Sequence, residues 1–330
     1  MCIALISTEH PDYPLIIINN RDEYLRRPTA PASFWPSPNT HILGGRDLAR
    51  AIHGTWMGVT KSGKIAVLTN YREQTTDAAT GKQSRGAIVN NWLTRSPDQL
   101  TTSYVEEMVN SPTARDVGGF SLVCGYVGEP LAIVSNRSSA LDQVSWIAEE
   151  RGVTKGLSNT VFDDRSWPKI LKGETLVGEA IGRSLEEKEG EERLIERLLE
   201  VLSTNSLPAL DEGATAEDYL PYYRNSIFIP RIGTREKTKA EPRAPATAGE
   251  SALEQPSSTD GHGIKKEAEA GNDILDQSYL YGPYGTQKHT VLLVRQDGTM
   301  KYFERTLYDQ DTEPVPIGQG DRSFEFQVTQ

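Results

Sequence analysis

The chain has few of the residues that build disulfide-bonded or metal-bound folds. Its 330 residues include two cysteines, Cys2 and Cys124, which are too few for a disulfide framework and fit a reducing compartment. The five histidines are scattered, and together with the distant cysteines they give no zinc-ligand spacing. No apolar run approaches the roughly 18 residues that a membrane-spanning helix needs. We therefore expect no disulfide scaffold, no bound metal and no membrane span.

Positive charge is in the minority. Lysine and arginine number 35 against 46 aspartates and glutamates, which gives a formal net charge of −11. An acidic surface repels phosphate backbones, so we expect no nucleic-acid partner. Residues 1–7 are apolar but lack a basic region and are too short for a secretory signal, so we expect a cytoplasmic protein. Phosphate-loop, dinucleotide-binding, serine-elbow and zinc-protease motifs are absent as well.

Short apolar runs bounded by turn residues predict strands, interrupted by a few amphipathic helices. Residues 61–63 separate two of these strands, and Gly63 suits a left-handed hairpin position. A helix is predicted to start at Ser96 and Pro97. Because helices come in clusters between runs of strands, the pattern favours an α+β layered fold over a doubly wound sheet. The predicted strands are 2–7, 15–19, 54–60, 64–71, 120–127, 131–136 and 144–148, and the other helices are 84–92 and 191–202.

The region 235–275 differs in composition from the rest of the chain. Lys, Glu, Ala, Pro, Ser and Gly dominate it, and such a stretch cannot bury enough apolar surface to offset its ordering entropy. We predict a disordered insertion here. Strand patterns resume at 290–294 and 301–307, which a hairpin turn at 296–299 joins through Gly298, and a final apolar stretch at 324–328 predicts an edge strand. We therefore expect one domain, formed by residues 1–234 and completed by strands within 276–330.

Cys2 is the residue that points to chemistry. A small side chain at position 2 permits removal of the initiator methionine, which would leave Cys2 with a free α-amino group titrating near ~7.7–8.0. One residue would then supply both a thiol nucleophile and a base, as in N-terminal nucleophile enzymes. The alternative is a small hydrophobic residue at the start of a strand.

A polar cluster at the end of the second predicted strand adds to this hypothesis. Antiparallel pairing of the first two strands would bring Cys2 next to Arg21 and Asp22. A guanidinium–carboxylate pair there could hold the terminal ammonium or the thiolate by charge-assisted hydrogen bonds, and the cation would lower the thiol pKa. The alternative is a solvated charged turn.

These residues resemble those of the NRDE family, over residues 1–233 and 276–310. The resemblance implies a four-layer αββα sandwich of antiparallel sheets, similar to N-terminal nucleophile hydrolases, in a cytoplasmic protein linked to Golgi organisation and secretion. Roles in haem mobilisation and acyl-lipid homeostasis are also proposed for the family. The segments that carry the resemblance include Met1-Cys2, Asn20-Arg21-Asp22-Glu23, Gly44-Gly45-Arg46-Asp47, Gly54-Thr55-Trp56-Met57-Gly58, Thr69-Asn70-Tyr71-Arg72, Gly156-Leu157-Ser158-Asn159, Ser166-Trp167-Pro168-Lys169 and Tyr284-Gly285-Thr286.

The chain is also similar to cysteine amide hydrolases of the bile-salt hydrolase and penicillin V acylase type. That similarity implies catalytic roles for Cys2, Arg21 and Asp22, with Asn70 and Asn159 as oxyanion donors; the alternative for both asparagines is turn chemistry. One position departs from the pattern: the family commonly has Arg after Tyr-Gly-Thr, and here the residue is Gln287. The change brings catalytic competence into question.

Three functions remain open from the sequence. The first is a cysteine hydrolase that cleaves C–N bonds of linear amides, or thioesters, and requires no cofactor. The second is a non-catalytic carrier of haem or an acyl lipid, with Cys2 or a histidine as haem ligand. The third is a scaffold for secretory-pathway proteins, with residues 235–273 as a flexible interaction tail. For all three functions we expect a cytoplasmic protein, associated with the Golgi or mitochondria.

Overall fold

The computed structural model describes residues 2–71, 84–111, 117–211, 213–233 and 282–329. The predicted insertion 235–275 lies outside the described residues. In the described part, one sheet has the strand order β10 (Thr154–Leu157), β1 (Ile3–Ser7), β2 (Leu15–Tyr24), β11 (Tyr284–Val294), β12 (Thr299–Thr306) and β13 (Asp321–Gln327). The other has the order β3 (Thr29–Phe34), β4 (Ile42–Asp47), β5 (Met57–Thr60), β6 (Lys64–Asn70), β7 (Phe120–Tyr126), β8 (Leu131–Ser135) and β9 (Ser145–Ile147).

Two helices cover the outer face of each sheet, and the strands within each sheet pair antiparallel. Helices α3 (Pro168–Glu186) and α4 (Glu191–Leu202) pack on the six-stranded sheet, and α1 (Arg85–Thr94) and α2 (Thr101–Asn110) pack on the seven-stranded sheet. Three hydrophobic clusters fill the three interfaces between these layers. The predicted α+β, four-layer αββα fold is confirmed.

The alternation along β1 shows how one strand serves two cores. Ile3 and Leu5 pack against α3 and α4, whereas Ala4 and Ile6 pack between the sheets. This follows from the period of two in a strand, which sends successive side chains to opposite faces. No helix among the described residues is long and apolar enough to cross a bilayer.

The hairpin predictions hold. Gly63 has φ +86° in the turn between β5 and β6, and Gly298 has φ +83° in the turn between β11 and β12. Both values fall in the left-handed region that glycine adopts without steric cost. β13 is the edge strand that the last apolar stretch predicted.

Some helices and strands were not predicted, and others have different bounds from those predicted. Helix α3 was not predicted, because glycines at 173, 178 and 182 interrupt its apolar pattern. Gly173 is needed there, since a Cβ would lie 2.9 Å from the Leu5 side chain. The short strands β3, β4 and β10 were missed too, and α2 begins at Thr101 rather than at Ser96 and Pro97. Strands β2 and β11 are longer than predicted because their buried ends are polar.

A buried polar network ties α4 to the six-stranded sheet. The amide nitrogen of Asn20 donates to the carbonyls of Leu202 (2.8 Å) and Ile227 (2.9 Å), and its oxygen lies 2.5 Å from Nδ1 of His289. Because that oxygen can only accept, Nδ1 of His289 carries the proton. Burial, together with the smaller effect of the Arg305 charge, lowers the pKa of His289 to about 3. The imidazole is therefore neutral in the folded protein.

The shifted pKa of His289 makes stability depend on pH. In the unfolded chain His289 takes up a proton below about pH 6.5, whereas in the native chain it does so only near pH 3. The free energy of unfolding therefore falls as the pH falls between these two values. Between pH 6.5 and pH 5 the loss from this group is about 2 kcal/mol. Urea unfolding of the wild type and of His289→Gln at both pH values measures it. The variant should lose about 2 kcal/mol less than the wild type over this interval, and equal losses in the two proteins would contradict the assignment.

Candidate functional site

Cys2 directly precedes β1 and lies at one end of the space between the sheets. It is 6% exposed, and the strand alternation places it on the same face as Ala4. Because Ile3 pairs with Asn20, Cys2 comes opposite Arg21 on β2. The backbone N–H of Asp22 also donates toward the Cys2 thiol. The structure thus brings Cys2, Arg21 and Asp22 together.

Arg21 connects the two sheets. Its Nη2 donates to Oδ2 of Asp47 on β4 (3.2 Å), its Nη1 donates to Oε1 of Gln287 on β11, and its guanidinium lies 4.5 Å from the centroid of the Trp56 ring. Burial alone would raise the pKa of Asp47, but the guanidiniums of Arg21 and Arg27 hold it below its usual value. Arg21 therefore holds its guanidinium beside Cys2, anchored by a carboxylate from the opposite sheet.

This anchoring corrects the expected pairing of Arg21 with Asp22. Neighbouring residues in a strand point to opposite faces, so Arg21 faces the space between the sheets and Asp22 faces the helices. Arg21 is 4% and Asp22 is 3% exposed, which rules out a solvated charged turn.

Asp22 lies in a buried polar pocket at the start of β11. Its Oδ1 accepts a hydrogen bond from the hydroxyl of Thr286 (2.7 Å), and its carbonyl accepts one from the hydroxyl of Tyr284 (3.3 Å). Burial raises the pKa of the Asp22 carboxyl, and the nearby Lys169 and the Thr286 hydrogen bond oppose that rise.

The segment after β10 joins the two sheets next to Cys2. The hydroxyl of Ser158 donates to the carbonyl of Cys2 (2.7 Å), and the carbonyl of Ser158 accepts from the hydroxyl of Thr69 on β6 (2.9 Å). The amide nitrogen of Asn159 donates to the carbonyl of Asn70 (2.5 Å). Both predicted oxyanion donors thus lie at the Cys2 end of the sandwich. Asn159 is buried and keeps a second amide N–H, while Asn70 is half-buried at the end of β6.

The thiol of Cys2 is less acidic than expected. Burial raises its pKa and the Asp22 carboxylate adds to the rise, whereas the Asp22 backbone N–H and the Arg21 cation lower it. The predicted cation is present, but the desolvation of a buried thiolate outweighs it. Burial raises the pKa of Cys124 to about 12, and no cation in the described ranges contributes to its shift.

Gln287 occupies the position where an arginine was expected. The strand has a bulge between Thr286 and Lys288, and the Gln287 side chain accepts from Arg21 and donates to the carbonyl of Leu25 (3.3 Å). Lys288 pairs instead with the buried Glu304 (3.3 Å), so it does not replace the missing cation. An uncharged residue at 287 therefore supports Arg21 directly.

Sequence reasoning did not assign roles to Asp47, Trp56, Ser158 and Thr286. All four lie within the family-like segments, but their partners come from distant parts of the chain, so no local signal showed what they contact. In the described ranges, no cluster of His, Cys, Asp and Glu side chains could hold a metal ion.

Comparisons with known proteins agree with the sequence resemblance. The family model for Transport and Golgi organisation 2 matches residues 1–309. A human Transport and Golgi organization protein 2 homolog is 32% identical over 68% of this chain and 81% of its own length. A Saccharomyces cerevisiae protein described as uncharacterized is 26% identical over 95% of this chain and 94% of its own length. A conjugated bile acid hydrolase variant from Clostridium perfringens is similar at 9% identity and a TM-score of 0.42, over 100% of this chain and 98% of its own. The chain belongs to the Transport and Golgi organisation 2 family.

Proposed function

We propose that this protein is a cysteine hydrolase in which Cys2 attacks a linear amide or thioester, and that it serves Golgi organisation and secretion from the cytoplasm. The observation that carries the proposal is the convergence of Cys2, Arg21 and Asn159 at one end of the space between the sheets. Each of the three is at least nine-tenths buried. Buried polar side chains that converge on a nucleophile are the arrangement that acyl transfer needs.

The first half of the reaction forms a covalent intermediate. After removal of Met1, the free amino group of Cys2 takes the thiol proton through a water molecule, and the sulfur attacks the substrate carbonyl. The carbonyl oxygen becomes an oxyanion, to which the amide groups of Asn159 and Asn70 donate. Each such donor stabilises the transition state by about 2.7–4 kcal/mol in other enzymes.

The second half releases the products. The tetrahedral intermediate collapses, the bond from carbon to the leaving group breaks, and the α-ammonium returns its proton to the leaving amine or thiol. Water, deprotonated by the same amino group, then attacks the thioester carbonyl. The C–S bond breaks, a carboxylic acid is released, and the Cys2 sulfur takes the proton back from the α-ammonium. Arg21 supplies positive potential to the thiolate, and Asp22 orients the amino group.

A second candidate is a carrier of haem or an acyl lipid in the same pocket. The observation that favours it is the burial of Cys2, which raises the thiol pKa and so disfavours the nucleophilic thiolate. A carrier needs no thiolate until its ligand arrives. Haem would bind reversibly, because the chain has no C-x-x-C-H attachment motif.

Covalent labelling tests the hydrolase directly. We expect an acyl thioester or activated amide probe to add one acyl group to the untagged protein, on Cys2. Cys2→Ala should abolish the adduct. Cys124→Ala should keep it, because Cys124 lies in the core between the second sheet and its helices. Asn159→Ala should slow acylation about 100- to 1000-fold, the effect of losing one oxyanion donor. Intact-protein mass spectrometry measures all four proteins.

Other labelling results would distinguish the hydrolase from the carrier. An adduct that persists in Cys2→Ala would contradict the hydrolase. No adduct from a broad probe set, together with a Soret shift on haemin addition that is lost in Cys2→Ala, would favour the carrier instead.

The cross-sheet anchor of Arg21 gives a second prediction. Asp47→Asn removes the carboxylate that holds the guanidinium, and a misplaced cation should slow Cys2 acylation about 10- to 100-fold. Glu107→Gln is the matched control, since it breaks an exposed Arg95 pair far from the site. Acylation rates from timed mass spectra provide the measurement. Equal rates in Asp47→Asn and the wild type would show that Arg21 does not act on Cys2.

The cellular role needs the amino terminus intact. We propose cytoplasmic residence, with Golgi or mitochondrial association through secretory-pathway proteins. A tag should therefore be placed at the carboxyl end, because an amino-terminal tag would block Cys2. Loss of secretion that the wild type rescues and Cys2→Ala does not would support a link between the site and this role.

A further inference from the structure

Lys169 is a fully buried cation beside the site that the mechanism does not yet use. It is the second residue of α3, with 0% of its surface exposed. Its backbone N–H donates to the carbonyl of Arg224 (3.1 Å), but its Nζ makes no hydrogen bond to any residue in the described ranges. A buried ammonium without a partner is strongly unfavourable.

The other buried lysines in the described part of the chain have hydrogen-bond or ion-pair partners for their ammonium groups. Nζ of Lys64 donates to the carbonyls of Trp92, Arg95 and Ser96. Nζ of Lys288 pairs with Glu304 and donates to a threonine hydroxyl. Lys169 has nothing comparable, so packing of its own helix does not explain why it is a lysine.

The position of α3 places Lys169 on the helix-facing side of the strands that carry Cys2 and Asp22. Its first turn packs closely on β10, since a Cβ on Gly156 would lie 2.8 Å from Ile170. β10 pairs with β1, and β1 pairs with β2. Asp22 faces the helices from β2. Burial lowers the pKa of Lys169, and the negative groups that oppose this shift are Asp22 and the Cys2 thiolate.

Apart from Glu23, whose charge also raises the pKa of Asp22, the other polar groups near this pocket in the described ranges are neutral or have partners of their own. Burial raises the pKa of both Tyr223 and Tyr284, so their phenols stay neutral. Glu174, farther along α3, is held by Arg165 and by the N–H of Gly156. The Arg224 guanidinium donates to the carbonyl of Ser166, and the Trp167 ring lies 5.7 Å from Nζ of Lys169.

We propose that Lys169 is a positioning residue of the Cys2 site, whose ammonium balances the charge of Asp22. The balanced carboxylate orients the amino group of Cys2 without locking it in the charged form. The same cation favours the thiolate. The inference rests on the proposed function in taking Cys2 as the reactive residue.

The pH profile of Cys2 alkylation by iodoacetamide tests this role. Loss of a nearby cation makes both the thiol and the amino group harder to deprotonate. In Lys169→Met the rising limb should move to higher pH by about one unit, with about a tenfold lower rate at neutral pH. Lys169→Arg should stay near the wild-type profile. Lys172→Met, an exposed lysine on the same helix, should superimpose on it.

A purely structural lysine would give a different result. Lys169→Met would then change the melting temperature but leave the alkylation profile in place, and that outcome overturns the proposal. A shift of equal size in Lys169→Arg overturns it too, because that variant keeps the charge.

Thermal unfolding of a double variant covers the case in which a single variant folds poorly. Asp22→Asn leaves Lys169 as an uncompensated buried cation, so adding Lys169→Met should raise the melting temperature above that of Asp22→Asn alone. A further drop would overturn the pairing. Because neither experiment needs turnover, failure of the hydrolase proposal and failure of this one give different results.

Discussion

Antiparallel pairing of β1 with β2 is the constraint on which the site depends. With Ile3 opposite Asn20, Cys2 must face Arg21, and Asp22 must turn toward the helices. A slip of one residue would move every side chain of β1 to the other face. The cores on both sides of the strand, with Ala4 and Ile6 on one face and Ile3 and Leu5 on the other, prevent that slip. The hydrophobic pattern of β1 thus fixes the chemistry at its first residue.

Buried charge is the second common feature. Arg21 pairs with Asp47 across the sheets, Lys288 pairs with Glu304, and the buried Lys169 interacts electrostatically with Asp22. Buried ion pairs rarely add stability over apolar residues of similar volume, because desolvation offsets their attraction. A fold that keeps several of them at one end of a sandwich therefore keeps them for a task. Burial strengthens the electrostatic interactions of these charges and also raises the pKa of the Cys2 thiol. The reactivity of Cys2 therefore depends on the balance between its own burial and the cations around it.

The sequence predicted the elements whose patterns are local. Gly63 and Gly298 marked their hairpins, and the leucine stripe of α4 gave that helix with its observed bounds. Helix α3 was not predicted because its sheet-facing side contains glycine, which weakens the helical pattern of the sequence. The polar ends of β2 and β11 did not look like strands, although they are buried and paired, because their residues serve the site.

The site itself was predictable in part. Cys2, Arg21, Asp22, Asn70 and Asn159 were identified from a resemblance and from the expected hairpin, and the structure gathers them at one end of the sandwich. Their catalytic roles remain predictions. Asp47 as the partner of Arg21, Ser158 on the Cys2 carbonyl and Lys169 beneath the sheet could not be found, because those contacts join residues from about 25 to more than 150 positions apart and depend on the folded geometry.

The most direct test is the mass of the mature, untagged protein and of its amino-terminal peptide. The account predicts a chain that lacks Met1 and begins with a free amino group on Cys2. A mature protein that retains Met1 would contradict it, since Cys2 would then have no amino group to act as the base.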